Sequence, residues 1–532
     1  MAVPVGSGGM SDAPLLPRIS DYAALHARSR PDAIALTLGP QRVSYAALNA
    51  EVDALAKALL AADVGKGDRV ATLQAPCPDF FIAYLATVSI GAIWLGLNPR
   101  YRLMELERTV RDAQPRVLLA RAELGGRGYA GEIAALAGLP GVERTACWGA
   151  NPPGTLPMAD FLARGEGIDA ATLNAARSAC GGDDPCLMVY TSGSTGEPKG
   201  ALLTHAQIVE FCRIQNRLWP TEPLSVQNFL PINHIGCVVD LGTPCLLAGG
   251  TIHFMEQFDA AEALRMVETE RLTLWGSVPS VLALIMALPA FERTDFSSVQ
   301  LIVWEGAAMP DDLLERLLRI GPPLATNYGM TETTSAITIL QPTRDRELLL
   351  RSSGRATPGV DIRIADAADN ALPDGEPGEV QTRSALNTPG YWNRPEATAA
   401  AFTADGYFRT GDIAVRGADG HVRIVGRLKE MYKSGGYNVY PREVEMAIEA
   451  HPAVSLAAVV PVADPLWQEV GVAFVLPNPG MALAADELDR WCRERLANYK
   501  CPKRFEITTD IPLLPIGKVD RVALKARASA SS

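Results

Sequence analysis

The stretch Tyr190-Thr191-Ser192-Gly193-Ser194-Thr195-Gly196-Glu197-Pro198-Lys199-Gly200 decides how the rest of this chain is read. It follows the apolar run Cys186-Leu187-Met188-Val189, which is expected to be a buried strand. The eleven residues hold three glycines, four Ser/Thr hydroxyls and one lysine. Glycines let backbone N–H groups approach an anion, hydroxyls add donors, and lysine supplies a point charge. That is the chemistry of a loop that grips a polyphosphate. It is not a Walker A loop, because the glycine that should precede Lys199 is replaced by Pro198. A flexible Ser/Gly connector is the plain alternative, but connectors are rarely entered from a strand and closed by Pro-Lys-Gly.

Two further strand candidates also run into loops. Residues 301–304 enter Glu305-Gly306-Ala307-Ala308, and residues 324–327 enter Tyr328-Gly329-Met330-Thr331-Glu332. Open α/β sheets bind ligands beyond the carboxyl ends of their strands, so all three loops are expected to line one cleft.

The flanking sequence alternates in the same way. Ser44 caps a predicted helix with Leu48, Val52, Leu55 and Leu59 on one face, stopped by Gly65 and Gly67. A strand at 69–74, a helix from about 79, a strand at 92–97, a helix from about 104 and a strand at 116–119 follow. This predicts an α/β fold with parallel sheets in a large N-terminal domain of layered subdomains. After about residue 350, short strand-like pieces at 360–364, 378–382 and 422–425 sit between Gly, Pro and Asp turns, which predicts a small β-rich subdomain. Beyond Gly426 the alternation resumes for about a hundred residues, enough for a small α+β C-terminal domain.

Bulk properties agree. The chain has 532 residues, more than one core supports. Net charge is −11 with no dense Lys/Arg block, which argues against a nucleic-acid partner. The nine cysteines are odd in number and form no CxxC pair, so zinc and a disulfide framework are disfavoured and a reducing cytoplasm is expected. Residues 1–17 read as a disordered leader without the features of a signal peptide. The uncharged stretch 80–97 is near the lower limit of the roughly 17–25 residues that span a bilayer. Thr87, Ser89, Gly91 and Gly96 interrupt it, so a buried helix running into a strand is expected, and no membrane span.

Asn327-Tyr328-Gly329-Met330-Thr331-Glu332-Thr333 offers an aromatic, a glycine, a hydroxyl and a carboxylate at a spacing that can serve one nucleotide. Tyr328 can stack on a purine, Thr331 can bond a phosphate, and Glu332 can hold Mg²⁺, a hard cation suited to oxygen ligands. A strand followed by a Thr331-capped helix is the alternative. Asp412 in Tyr407-Phe408-Arg409-Thr410-Gly411-Asp412 is a turn carboxylate, a type that usually only forms turns. Gly426-Arg427-Leu428-Lys429 leads into Lys433-Ser434-Gly435-Gly436, and Pro515-Ile516-Gly517-Lys518 lies near the end.

These five motifs, in this order, resemble the adenylate-forming superfamily, which includes acyl- and aryl-CoA synthetases, adenylation domains of peptide synthetases and firefly-type luciferases. The resemblance covers almost the whole chain. It implies that Thr191, Ser192, Gly193, Ser194, Thr195, Gly196 and Lys199 form the phosphate loop. Gly306, Ala307 and Ala308 would pack along adenine, with Asn327, Tyr328, Gly329 and Thr331 completing the nucleotide site. Asp412 would take the ribose hydroxyls, a two-acceptor task that suits a carboxylate. Arg427 would reach the nucleotide and Glu332 would hold the metal. Lys429 falls at the hinge of a mobile C-terminal domain, so the domains are expected at 18–428 and 429–532. Lys433, Ser434, Gly435 and Gly436 resemble the loop lining the pantetheine tunnel of CoA ligases, although Tyr437 stands where Glu is frequent. Lys518 would bridge carboxylate and α-phosphate in the first step.

Substrate choice is marked by His234 in Pro231-Ile232-Asn233-His234-Ile235-Gly236, which resembles the family's gate beside the acyl pocket. The usual pattern has two residues between that His and the Gly, and here there is one. Amino-acid-activating relatives carry an Asp in this segment. The nearest here is Asp240, so an α-amino acid is disfavoured because an unpaired buried ammonium is costly. Ile232, Ile235, Val238 and Ile337 are expected to border a hydrophobic pocket. Residues 331–337 resemble the luciferase and coumarate-ligase branch.

The implied activity is an AMP-forming carboxylic acid:CoA ligase acting on a hydrophobic fatty or aromatic acid, with ATP, Mg²⁺ and CoA. Catalytic residues would be Lys518, Thr331, Glu332 and His234. Rivals are a ligase loading a carrier protein, a luciferase-like oxygenase and a non-catalytic nucleotide-binding module. The pattern from Pro512 to Lys518 also resembles an acetylation site, so a lysine acetyltransferase is an expected partner at Lys518.

Overall fold

The structure is a computed structural model that describes residues 14–192, 198–434, 437–514 and 519–530. The expected α/β layering is present. Arg69–Leu73 lies between Ile93–Leu97 and Val117–Arg121 in parallel, and the sheet continues through Arg144–Trp148 on one side and Pro185–Ser192 on the other. Pro198–Thr204 closes that side antiparallel to Pro185–Ser192. This return strand was not legible as a strand, because the phosphate-loop motif that contains its first residues drew the reading.

Local signals explain the framework. Ser44 accepts from the Ala47 amide at 3.2 Å and starts the helix Tyr45–Ala61, whose Leu48, Val52, Leu55 and Leu59 are buried as the spacing requires. The apolar stretch 80–97 is the helix Pro78–Ser89 running into Ile93–Leu97, enclosed in the main core by Phe80, Phe81, Tyr84 and Trp94. Among the described residues no helix is long and apolar enough to cross a membrane. All nine cysteines are buried and free.

A second sheet runs Leu274–Gly276, Leu301–Trp304, Leu324–Met330, Ser335–Ile339, Arg355–Ala356, parallel for its first three strands and antiparallel after. A third joins Ser225–Asn228, Thr251–Phe254, Ile34–Leu38 and Gln41–Ser44. The predicted β-rich piece is the antiparallel sheet Asp361–Ala365, Pro377–Arg383, Phe408–Arg416, Val422–Arg427. Beyond it a separate small sheet is built on the pair Val454–Asp464 and Gln468–Pro477, packed on the helices Pro441–Glu449 and Ala485–Arg493. Its two faces carry separate cores, one against these helices and the other against the helix Arg521–Ala530 through Leu524 and Ala528.

Candidate active site

The turn Thr331–Thr333 sits where the two large sheets meet. Strand Leu324–Met330 leads into it and Ser335–Ile339 leaves it. The reversal is tight: Thr334 and Ser335 both have left-handed backbones, φ 49° and 77°. Such residues typically cost about 1–3 kcal/mol each and cluster at functional sites. Gly329 makes the reversal feasible, because a Cβ there would lie 1.5 Å from the Ser335 carbonyl oxygen.

Glu332 is buried in this turn. Its Oε1 accepts a hydrogen bond from Thr191 Oγ1 at 2.9 Å and another from the Tyr391 hydroxyl at 3.0 Å. The end of the phosphate-loop strand and the Glu332 turn are therefore in direct contact. Lys199 lies opposite Thr191 in the hairpin, and its Nζ is 5.2 Å from the centroid of the Tyr391 ring. Residues 193–197, including the phosphate-loop residues Gly193, Ser194, Thr195 and Gly196, lie outside the described residues, as does the side chain of Ser192.

Tyr391 was missed by the sequence reading. It is positioned because residues 388–392 run beside the return strand. Leu202 N donates to the Gly390 carbonyl at 3.1 Å and Trp392 N to the Gly200 carbonyl at 2.8 Å. Burial, and then the Glu332 carboxylate beside it, raises the Tyr391 phenol above its usual range, so it stays a donor.

Tyr328 and Asp412 also meet. The tyrosine hydroxyl donates to Asp412 Oδ2 at 2.9 Å, and Arg427 Nε lies 3.0 Å from Asp412 Oδ1. Asp412 and Arg427 are directly opposed across two antiparallel strands, which fixes their distance by register. Asp412 is buried while Arg427 is exposed. Asn327 Nδ2 donates to Glu305 Oε1 at 2.8 Å, tying the third loop to the second, and Gly306, Ala307 and Ala308 follow as an exposed rim. Lys429 titrates lower than an ordinary lysine, through partial burial and then the Arg427 and Lys199 charges. Its ammonium thus senses the same cluster.

In the segment expected to gate the acyl pocket, His234 Nδ1 accepts from the Gly236 amide at 3.0 Å and closes a short turn. The wide π-helical turn Gly236–Gly242 follows. Ile232, Ile235 and Val238 are buried together in the main core. Ile337 is not with them: it points into the core of the Asp361–Arg427 sheet beside Ile362 and Val380. Its expected place on the pocket wall is therefore corrected.

On the C-terminal side, Lys433 is exposed and its amide donates to Glu469 at 3.0 Å, while Ser434 is buried opposite Gln468. Gly435, Gly436 and residues 515–518, with Lys518, lie outside the described residues. The chain on either side of the last is anchored by a Leu513–Val519 bridge and by Arg521, which pairs with Glu430 at 3.1 Å and Glu445 at 2.7 Å.

Residues 24–392 match the model of the AMP-binding enzyme family, and residues 443–518 that of the AMP-binding enzyme C-terminal domain. The chain is 36% identical to a feruloyl-CoA synthase from Amycolatopsis sp over 512 residues, covering 96% of this chain and 99% of that protein. It is 31% identical to an indoleacetate–CoA ligase from Aromatoleum aromaticum, covering 94% and 96%. Among solved structures it resembles ATP-bound MatB from Rhodopseudomonas palustris, with a TM-score of 0.84, 28% identity and coverage of 96% and 99%. With both family models matched in order and the motif residues meeting around Glu332 and Asp412, the chain belongs to the adenylate-forming AMP-binding enzymes, in their acyl- and aryl-CoA synthetase branch.

Proposed function

We propose that the protein activates a hydrophobic aromatic acid with ATP and transfers it to CoA. The observation that carries this reading is the pair of hydroxyl donors on Glu332, at the base of the phosphate loop. Both relatives named above take aromatic acids by their names.

In the first step the substrate carboxylate attacks the α-phosphorus of ATP. A bond forms from carboxylate oxygen to phosphorus, and the bond to pyrophosphate breaks. Thr191, Lys199 and Thr331, with Ser192, Gly193, Ser194, Thr195 and Gly196, would cradle the phosphates. Tyr328 would stack on adenine between Asn327, Gly329 and the Gly306, Ala307 and Ala308 rim, and Asp412 would take the ribose. Arg427 would exchange its present partner Asp412 for the nucleotide. Lys518 would hold the developing charge, an interaction commonly worth several kcal/mol. Its acetylation would remove that charge and silence this step.

Glu332 suits Mg²⁺. Its two donors hold one carboxylate oxygen, and Mg²⁺ favours one or two carboxylates completed by substrate phosphates. The ion would neutralise phosphate charge. In the second step the CoA thiol attacks the acyl carbon, loses its proton, and AMP leaves. Lys429 is the proposed hinge between 18–428 and 429–532, Lys433, Ser434, Gly435 and Gly436 would receive the pantetheine arm, and His234 would gate the acyl pocket.

The test is pyrophosphate release over a panel of aromatic and aliphatic acids, followed by mass detection of the CoA thioester. Parallel arms use holo carrier protein and oxygen uptake. A thioester on carrier protein alone, or oxygen consumption in place of thioester, would replace this reading.

A further inference from the structure

The helix Leu103–Ala113 carries none of the nucleotide-site motifs, yet one of its residues ties together the two segments that hold Glu332. Asp112, in the last turn, accepts from the Tyr190 hydroxyl on Oδ2 at 2.8 Å and from Arg394 Nη2 on Oδ1 at 2.7 Å. Its backbone carbonyl accepts from Trp392 Nε1 at 3.2 Å. The partners belong to the strand Pro185–Ser192 and to residues 388–394, segments far apart in sequence.

These partners sit beside the two donors on Glu332. Tyr190 directly precedes Thr191, Trp392 directly follows Tyr391, and Arg394 is in the same turn as Tyr391, its amide donating to the Tyr391 carbonyl at 3.1 Å. Thr191 and Tyr391 then meet at one oxygen of Glu332, at 2.9 and 3.0 Å. Asp112 therefore closes a ring that runs through Tyr190 and Thr191 to Glu332 and returns through Tyr391 and Arg394.

The helix itself gains little from a carboxylate at this position. An acid in the last turn faces the negative end of the helix dipole, which disfavours it. The side chains of Asp112 and Arg394 are 18% and 36% exposed, so their ion pair is partly screened and adds little to stability. What the carboxylate supplies is spacing. It is planar and places one oxygen on each segment, so it fixes how far apart the two segments stand.

We propose that Asp112 is a positioning residue for the first step: by bridging Tyr190 and Arg394 it sets the separation of Thr191 and Tyr391, and so holds Glu332 in place for MgATP. Asp112 touches neither substrate nor the reacting atoms. This rests on the ligase reading and on Glu332 as the Mg²⁺ ligand.

The test uses Asp112→Ala, alone and combined with Tyr391→Phe. Calorimetry gives the Kd of MgATP and of metal-free ATP, and thioester formation from supplied acyl-AMP and CoA reads the second step alone. In Asp112→Ala the MgATP affinity should fall about tenfold, the range typical of outer partners of a metal-binding carboxylate. Binding of metal-free ATP should change less, and thioester formation from acyl-AMP should stay near wild type. The combined variant should lose less than the product of the two single losses, because both substitutions act on the same carboxylate. Wild-type MgATP affinity in folded Asp112→Ala overturns the proposal. So do equal losses with and without metal, equal losses in both half-reactions, or losses that simply multiply. Should Asp112→Ala fail to fold, the isosteric Asp112→Asn decides: it removes the charge that holds Arg394, and an unchanged MgATP affinity there overturns the proposal as well. MgATP binding without any CoA thioester sinks the ligase reading instead, and the calorimetric comparison still decides the role of Asp112.

Discussion

Tyr391 donates its hydroxyl to Glu332 Oε1 at 3.0 Å, across 59 residues of chain. Thr191 bonds the same oxygen, so one carboxylate oxygen is held from two sides while the other can face a cation. Outer partners of metal-binding carboxylates typically contribute about 10–100-fold in affinity or activity.

Tyr391→Phe should therefore weaken the Mg²⁺ dependence, toward the lower end of that range because Thr191 remains. The apparent Mg²⁺ constant for pyrophosphate release should rise about tenfold, and calorimetry should show the matching loss in MgATP affinity. An unchanged Mg²⁺ titration in a folded variant would show that Glu332 needs no help from Tyr391.

The reversal at Thr334 and Ser335 predicts a strong size limit at Gly329. Its absent Cβ is 1.5 Å from a backbone oxygen, which cannot rotate away as a side chain would. Gly329→Ala should destabilise the protein by about 3 kcal/mol or prevent folding. Gly131 lies in the helix Ala130–Ala137 with no atom within 4 Å of its Cβ position, so Gly131→Ala should be neutral or stabilise by up to about 1 kcal/mol. Denaturant melts of the two variants make the comparison, and equal midpoints would refute the steric account.

Two buried histidines set an acid limit. His205 and His253 are each held down to about 4, chiefly by burial, with Arg18 and Arg42 respectively adding to it. The unfolded chain takes up their protons near 6.5, so the folded state binds fewer protons between about 6.5 and 4. Their stabilisation is complete above 6.5 and is lost as the pH falls toward 4. The expected loss is on the order of 3 kcal/mol for each. Urea melts between pH 7 and 4.5 should show this slope, and His253→Asn should flatten it. A stability rising toward pH 4.5 would contradict the assignment.

Much of the site is legible because its residues come in short motifs whose chemistry is local. The strand at 301–304 was read with its boundaries intact, and the Ser44 cap and the apolar face of its helix followed from spacing alone. Tyr391 was not legible. Its signal is one aromatic after a Pro-Gly turn, and its meaning comes from a contact with a carboxylate on another element. Ile337 shows the opposite failure: an apolar residue beside a motif was expected at the pocket, but it packs with Ile362 and Val380 in a different core, a contact between elements distant in sequence.

The two-step reaction predicts opposite defects for two lysines. Lys518→Ala should abolish pyrophosphate release with ATP and acid, because the first step loses its cation where charge shifts from the carboxylate to phosphate. It should still form thioester from supplied acyl-AMP, since that step needs no bond to ATP. Lys429→Pro should do the reverse. Proline fixes φ near −65° and removes a donor, which hinders a backbone rotation at the hinge. Single-turnover pyrophosphate release should then survive while transfer to CoA collapses. Arg521, three residues beyond Lys518, pairs with Glu430, the neighbour of Lys429, at 3.1 Å. Both half-reactions falling together in Lys518→Ala would sever Lys518 from the first step, and wild-type rates of both steps in Lys429→Pro would move the hinge elsewhere.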